Sequence, residues 1–269
     1  MPEFIRISRL KEAKETMKQT TQRLLLSLYP LTSGVVQFPY QLVAVLLPGL
    51  TPGGQRSLLH LLQNQGFIHK DTIVDQLFLT LGDAGRKALE EEFPALKRPS
   101  ESWQGQWQVV LFQSPPATDK NFRYLRKLLL NHHAMPISRG VYGFPEVVPT
   151  AVQRELESLY QGHVLVVPIG DTPNFGSLRP TVMEHFQLSD LISAYSGISS
   201  EIDQLLKPNR TLERLTNTQK KQLSTVLVRI VETGLQDPGI IRFYFPNTPN
   251  LKTVLAAYQD LLSQLIIHN

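Results

Sequence analysis

A chain of 269 residues, 42% of them hydrophobic and 19% charged, has the composition of a soluble globular protein, and its length calls for two or three domains that each bury a core. The absence of cysteine excludes a disulfide framework, a thiolate metal site and a cysteine nucleophile. No apolar run is long enough to cross a bilayer and no signal peptide stands at Met1, so a cytoplasmic protein with no membrane partner is expected. The net charge of +4 and a pI near 9.2 permit a nucleic-acid partner, provided that the basic groups gather on one face.

In chain order, from Met1 to Lys18, Phe4, Ile7 and Leu10 recur at near-helical spacing among Arg6, Arg9, Lys11 and Lys14, which predicts a basic amphipathic helix; such a helix can lie on a membrane or on DNA phosphates, and more often packs on its own or a partner subunit. The leucine-rich run Thr20 to Tyr29 predicts a helix ended by Pro30, and Pro39 to Leu47 a second ended by Pro48-Gly49. A third begins at Thr51, a good N-cap, with Pro52 in its first turn and Leu58, Leu59 and Leu62 as an apolar stripe. Gly66 sits where that helix needs a left-handed residue to stop. Two strand-like runs follow, Phe67-Ile68 and Leu77 to Leu81, around a polar tip at Lys70-Asp71-Thr72. Asp83 to Phe93 then reads as a helix docked on the first one through Ala84, Ala88, Leu89 and Phe93, with Glu90 to Glu92 as its solvated face.

Helix, hairpin and helix in this order is the order of a winged helix-turn-helix, which presents a helix to a DNA groove. With the leucines set aside, Gln55, Arg56, Ser57, His60 and Asn64 are expected to point outward. Arg, Gln, Asn and Ser have donor patterns that match base edges, and Gly53-Gly54 lets the helix N-terminus approach a phosphate. Lys70 at the wing tip is expected on a phosphate. An ordinary polar helix surface is the competing reading.

Pro94 to Ser102 reads as a linker. Beyond it come a strand at Gln106 to Gln113, a helix at Phe122 to Asn131, short strands at Ala134 to Ile137 and Val141 to Phe144, a helix at Thr150 to Tyr160 capped by Thr150, and a strand at His163 to Ile169. The order βαββαβ is that of a ferredoxin-like domain. Asn217 to Thr233 is a long helix, and Leu251 to Ile267 the last one. The expected fold class is therefore α+β in three domains: a winged helix over 1–97, a ferredoxin-like domain over 103–175 and a helical domain over 176–269. His132 and His133 point about 100° apart on a helix end and do not share a metal. His163 reads as a half-buried packing residue, and Trp103 with Trp107 as an interdomain packing cluster. No metal site, catalytic trio or cofactor site is expected.

The run Trp103-Gln-Gly105-Gln-Trp107, then Val109 to Phe112 and Pro115, then Arg123-Tyr-Leu125-Arg126-Lys-Leu128 and Gly140-Val-Tyr142-Gly-Phe-Pro145 resembles the middle of the PaaX family of bacterial repressors. Arg56-Ser-Leu58-Leu59 through Gly66-Phe67-Ile68 is similar to that family's recognition helix. Leu227-Val-Arg229, Asp237-Pro238 and the final helix are similar to its closing helical domain, so nearly the whole chain is covered. Two departures stand out: Leu61 occupies a place where many members carry a second Arg, and Pro246 to Asn250 replaces a tryptophan-containing turn. The resemblance implies a homodimer on a palindromic double-stranded DNA operator, released by an acyl-coenzyme A thioester. Arg123, Arg126, Lys127 and Arg139 are the candidates for that effector's phosphates if they converge. The alternative is a protein-interaction or nucleic-acid scaffold of the same architecture that senses no metabolite. The central part also looks like the small endonuclease of CRISPR adaptation, but Leu111-Phe112-Gln113-Ser114 puts a neutral amide where that enzyme's metal needs an Asp, so no nuclease activity is expected.

Overall fold

The computed structural model of the chain describes residues 18–31, 34–97, 106–113, 120–145, 147–170, 179–205 and 215–267. All but Lys18 of the helix expected over 1–18, Trp103 and most of the expected linker lie outside them. The protein is a mixed α and β chain with two antiparallel sheets. It divides into two compact units, one built from 1–96, 195–236 and 251–269, the other from 97–194 and 237–250. This differs from the three consecutive domains expected: the helices of the last third are not a domain of their own.

The first unit shows why. Its central helix is α1, Gln19–Ser27, in which Thr21, Gln22, Leu24, Leu25, Leu26 and Ser27 are all buried. A helix that is buried on nearly every side needs cover on every side, and no single neighbour supplies it. Cover comes from α2 (Leu42–Leu46), α4 (Asp83–Glu92), α9 (Asn217–Gln236) and α11 (Leu251–Ile267). Leu223, Leu227, Ile230 and Val231 of α9 and Leu255, Tyr258 and Leu262 of α11 are buried in this core. The polar groups that go inside with them are bonded. Gln259 Nε2 donates to the carbonyls of Ser27 at 3.0 Å and Tyr29 at 2.8 Å, occupying the end of α1. Tyr258 Oη donates to Leu223 O at 3.0 Å, and Ser224 Oγ to Leu46 O at 3.2 Å. Glu90 and Glu92 are not a purely solvated face, because they accept hydrogen bonds at 2.8 Å from Tyr29 Oη and Gln22 Nε2. Pro94–Leu96, expected to be linker, forms a short 3-10 turn with Leu96 buried.

The hairpin of this unit joins β2 (Ile68–Ile73) to β3 (Gln76–Leu81), and β1 (Phe38–Pro39) adds to β3, giving the order β1-β3-β2. Phe38-Pro39 pairs with Phe78-Leu79, so the second helix begins at Leu42 and not at Pro39. Between α2 and the hairpin lies α3, Pro52–Asn64, whose C-terminus closes as expected: Gly66 has φ +69°, Gly66 N donates to Gln63 O and Phe67 N to Leu62 O, both at 2.9 Å. At the other end of the hairpin a Cβ on Gly82 would come within 2.2 Å of Gly66 O, so only glycine fits there.

The second unit carries the βαββαβ order: β4 (Trp107–Phe112), α5 (Lys120–Asn131), β5 (Met135–Ser138), β6 (Val141–Pro145), α6 (Thr150–Tyr160) and β7 (Val164–Ile169), with strand order β5-β6-β4-β7. Alternation along the strands sends Val110, Phe112, Tyr142 and Phe144 to one face, where they pack with Leu125, Leu129, Val152 and Leu156 of the two helices. Phe112 meets Phe122, Tyr160 and Tyr142 edge-on, with ring centroids 5.2, 5.5 and 6.2 Å apart. His133, at φ +60°, closes α5, with Ala134 N donating to Leu129 O at 3.0 Å, which accounts for the histidine pair as a helix terminus. Thr150 does not cap α6. Pro149 holds that position, and Gln153 Nε2 donates to Val148 O at 2.8 Å instead. His163 is exposed, not half-buried. Three further helices complete the described chain: α7 (Arg179–His185), α8 (Leu188–Leu205) and α10 (Ile241–Tyr244).

Replacing Gln259 by Leu leaves the Ser27 and Tyr29 carbonyls buried without their donor, which costs about 1 to 3 kcal/mol. Thermal unfolding of the variant is expected several degrees below that of the native chain. Burial also pushes the Tyr258 phenol well above its ordinary value, with Arg23 pulling weakly the other way. The folded state therefore holds that proton more tightly than the unfolded chain. Its influence is absent at neutral pH and lowers stability progressively as pH rises above about 10. A melting-temperature series across that range is expected to fall less steeply for Tyr258→Phe than for the native chain.

Candidate nucleic-acid interface

The helix α3 is held in place from both ends. Thr51 Oγ1 accepts from Gly54 N at 3.2 Å, and Leu59 and Leu62 are buried beneath the helix. Gln55 shares their face, because positions 55, 59 and 62 fall at i, i+4 and i+7. It is only 6% exposed, and its Nε2 donates to Leu50 O at 3.2 Å across the turn that enters the helix. The expectation that Gln55 faces outward is therefore corrected: it is a core amide that ties down the helix start. Arg56, Ser57, His60 and Asn64 are exposed as expected, with Asn64 Nδ2 and His60 Nδ1 3.3 Å apart. Leu61, 53% exposed, stands among them one turn after Ser57. Gly53, in the first turn, is exposed as well.

The hairpin differs more. Its turn is Val74-Asp75, with φ of +46° and +62°, and Ile73 pairs with Gln76. Two-residue turns with both φ positive ordinarily use Asn-Gly or Asp-Gly, and a β-branched residue there carries strain of about 1 to 3 kcal/mol. Val74 is 91% exposed and Ile73 43%. Lys70 is not at the tip. It pairs with Leu79 four residues before the turn and is half-buried, while the flanking Asp71 and Asp75 are exposed. The polar run Lys70-Asp71-Thr72 carried the turn signal by composition, but the pairing of Ile68 with Leu81 extends the strands past it.

Charge on this part of the chain is nearly balanced. From Lys18 to Lys97 the sequence holds seven Lys and Arg against six Asp and Glu, so any phosphate contact rests on a few placed groups and not on a basic field. The cations of the second unit are more concentrated. Arg123, Arg126 and Lys127 are exposed on α5, and Arg139 is exposed in the turn between β5 and β6. Arg126 lies near Tyr142, whose phenol burial raises and this guanidinium lowers. In the first unit an open cavity of about 730 Å³ lies between the end of α8 and the start of α9, lined by Glu201, Leu205, Lys221, Gln222 and Val226 among others. Glu201 is ion-paired with Arg229. Among the described residues its wall holds one ammonium, Lys221, and one carboxylate, Glu201. Among the described residues, no group of three His, Asp or Glu is placed to hold a metal ion, and no helix is long and apolar enough to cross a membrane.

No family model matches the chain, and no curated protein matches it. In fold it is similar to the solved structure of the uncharacterized protein Rv0674 from Mycobacterium tuberculosis, with a TM-score of 0.50 and 18% identity over 84% of this chain and 86% of that one. At that identity the likeness concerns the fold alone.

The split within α3 has a stability signature. Gln55→Ala is expected to lower the unfolding free energy by about 1 to 3 kcal/mol by orphaning the Leu50 carbonyl. Arg56→Ala, at an exposed position, is expected within about 0.5 kcal/mol of the native chain in the same denaturant titration.

Proposed function

We propose that this chain is a DNA-binding transcriptional repressor of the PaaX type, a homodimer on a palindromic operator. The observation that carries this reading is the exposed polar face of α3: Arg56, Ser57, His60 and Asn64 stand outward on a helix whose start is fixed by Thr51 and Gln55 and whose end leads into a hairpin. Read this way, α1 to α3 with the β1-β3-β2 sheet form a winged helix, and the β5-β6-β4-β7 sheet with α5 and α6 a ferredoxin-like domain. Arg56 takes the role of a bidentate donor to guanine or to phosphate, and Leu61 that of an apolar contact to a thymine methyl. One such helix and hairpin buries too little of a duplex to bind tightly by itself, so two half-sites are needed for a specific complex. The reading involves no catalytic step. Release by an acyl-coenzyme A effector belongs to it, with the α5 cations as the phosphate-binding groups.

A second reading, a protein-interaction or nucleic-acid scaffold that senses nothing, is favoured by the exposed aliphatic side chains Leu61, Ile73 and Val74 on the same unit.

Fluorescence anisotropy on the chain's own promoter separates the two. Arg56→Ala is expected to weaken specific binding by about 1 to 3 kcal/mol while leaving random DNA unchanged. An equal loss on both DNAs assigns Arg56 to phosphate. Native protein that does not distinguish promoter from random DNA, at any salt, favours the scaffold.

A further inference from the structure

We propose that the tip of the β2–β3 hairpin docks on α5 of a second copy of this chain, and that DNA does not touch it. The inference rests on the homodimer of the reading above and names the contact that makes it.

Two features of the tip point away from DNA. Asp75 is exposed in the turn and Asp71 three residues before it, and the only Lys or Arg of the hairpin, Lys70, sits half-buried four residues before it. Phosphates repel such a tip. At the same time Ile73 and Val74 expose their aliphatic side chains at the most prominent point of the hairpin, and Val74 does so in a left-handed conformation that Asn or Gly adopts with less strain. A strained, apolar turn where a relaxed polar one is available fits a tip that is covered in use.

The surface that matches it lies on α5. Lys120, Arg123, Arg126 and Lys127 are exposed on that helix, and among the described residues none of the four forms an ion pair. Leu130, one turn further along, is 39% exposed. The tip thus offers two aliphatic groups between two carboxylates, and α5 offers an aliphatic group beside four cations. The contact joins two different surfaces, so it closes only when reciprocated: the hairpin of each copy on α5 of the other makes a two-fold dimer, whereas an unreciprocated contact propagates.

Sedimentation equilibrium of the full chain tests this. The native protein is expected to be a dimer. Asp71→Lys with Asp75→Lys, and separately Arg123→Glu with Lys127→Glu, are each expected to raise the dimer dissociation constant about ten-fold or more, and the four changes together to bring it back towards the native value. Val74→Asn with Asp75→Gly installs the relaxed turn and removes the apolar side chain, so it is expected to raise the melting temperature while weakening the dimer. A native dimer that none of these variants disturbs, or charge reversals that do not rescue one another, overturns the contact and leaves the dimer standing. A native chain that sediments as a monomer overturns both. If the four-fold variant binds DNA with a steeper salt dependence than the native chain, the tip meets phosphate, and the proposal is likewise wrong.

Discussion

The constraint on which the first unit depends is the burial of α1. Leu24, Leu25 and Leu26 follow one another, so their side chains leave the helix in three directions about 100° apart, and all three are buried. Within the first third of the chain α2 and α4 pack on it. The remaining cover comes from the far end of the chain, where Gln259 satisfies two carbonyls that α1 leaves open at its C-terminus. A hydrogen-bonded amide in that place does what an apolar residue cannot, because the helix end carries acceptors that burial alone leaves unpaired. The position of α3 follows from this, since α2 packs on α1, α9 bonds to the last turn of α2 through Ser224, and Gln55 ties α3 to the residue that precedes it.

The charge balance sets the terms for any nucleic-acid role. The segment from Lys18 to Lys97 carries one excess positive charge, so the affinity of its exposed helix for DNA has to come from close, shaped contacts. That is why a single Arg on α3 carries so much of the proposed function, and why dimerisation is part of it and not an addition to it. Two weak modules on one duplex gain through effective concentration what neither has alone.

How much of this was legible in the sequence depended on the range of the interaction that decides each feature. Local signals were reliable. The Thr51 cap, the Gly66 stop and the helix Thr150–Tyr160 are each fixed by residues within a few positions, and the structure has them where the sequence puts them. The failures came where a distant partner decides. Lys70-Asp71-Thr72 looks like a turn, but pairing with Leu77 to Leu79 holds it in a strand. Pro39 looks like a helix start, but Phe78 takes it into a sheet. Gln55 was read by polarity when its helical phase with Leu59 and Leu62 already placed it inside. That signal was present and outweighed by residue type. The folding of the last helices onto the first could not be read locally, because neither Gln259 nor Ser27 carries any mark of the other.

In the proposed reading α5 has two uses. The same cations are asked to hold the phosphates of an effector and the aspartates of a neighbouring hairpin, and on one subunit they cannot do both at full strength. Binding equilibria that compete for one group are linked, so whatever free energy a polyanion loses by displacing the hairpin, the dimer loses equally when the polyanion binds. A repressor whose grip on DNA needs two copies is then released by any ligand that takes those cations, without a dedicated lever between a pocket and the DNA-binding helix. In that proposed arrangement the near balance of charge from Lys18 to Lys97 is an asset. A strongly basic unit stays on DNA as a monomer, and loss of the dimer has little effect, whereas a weakly charged one lets go.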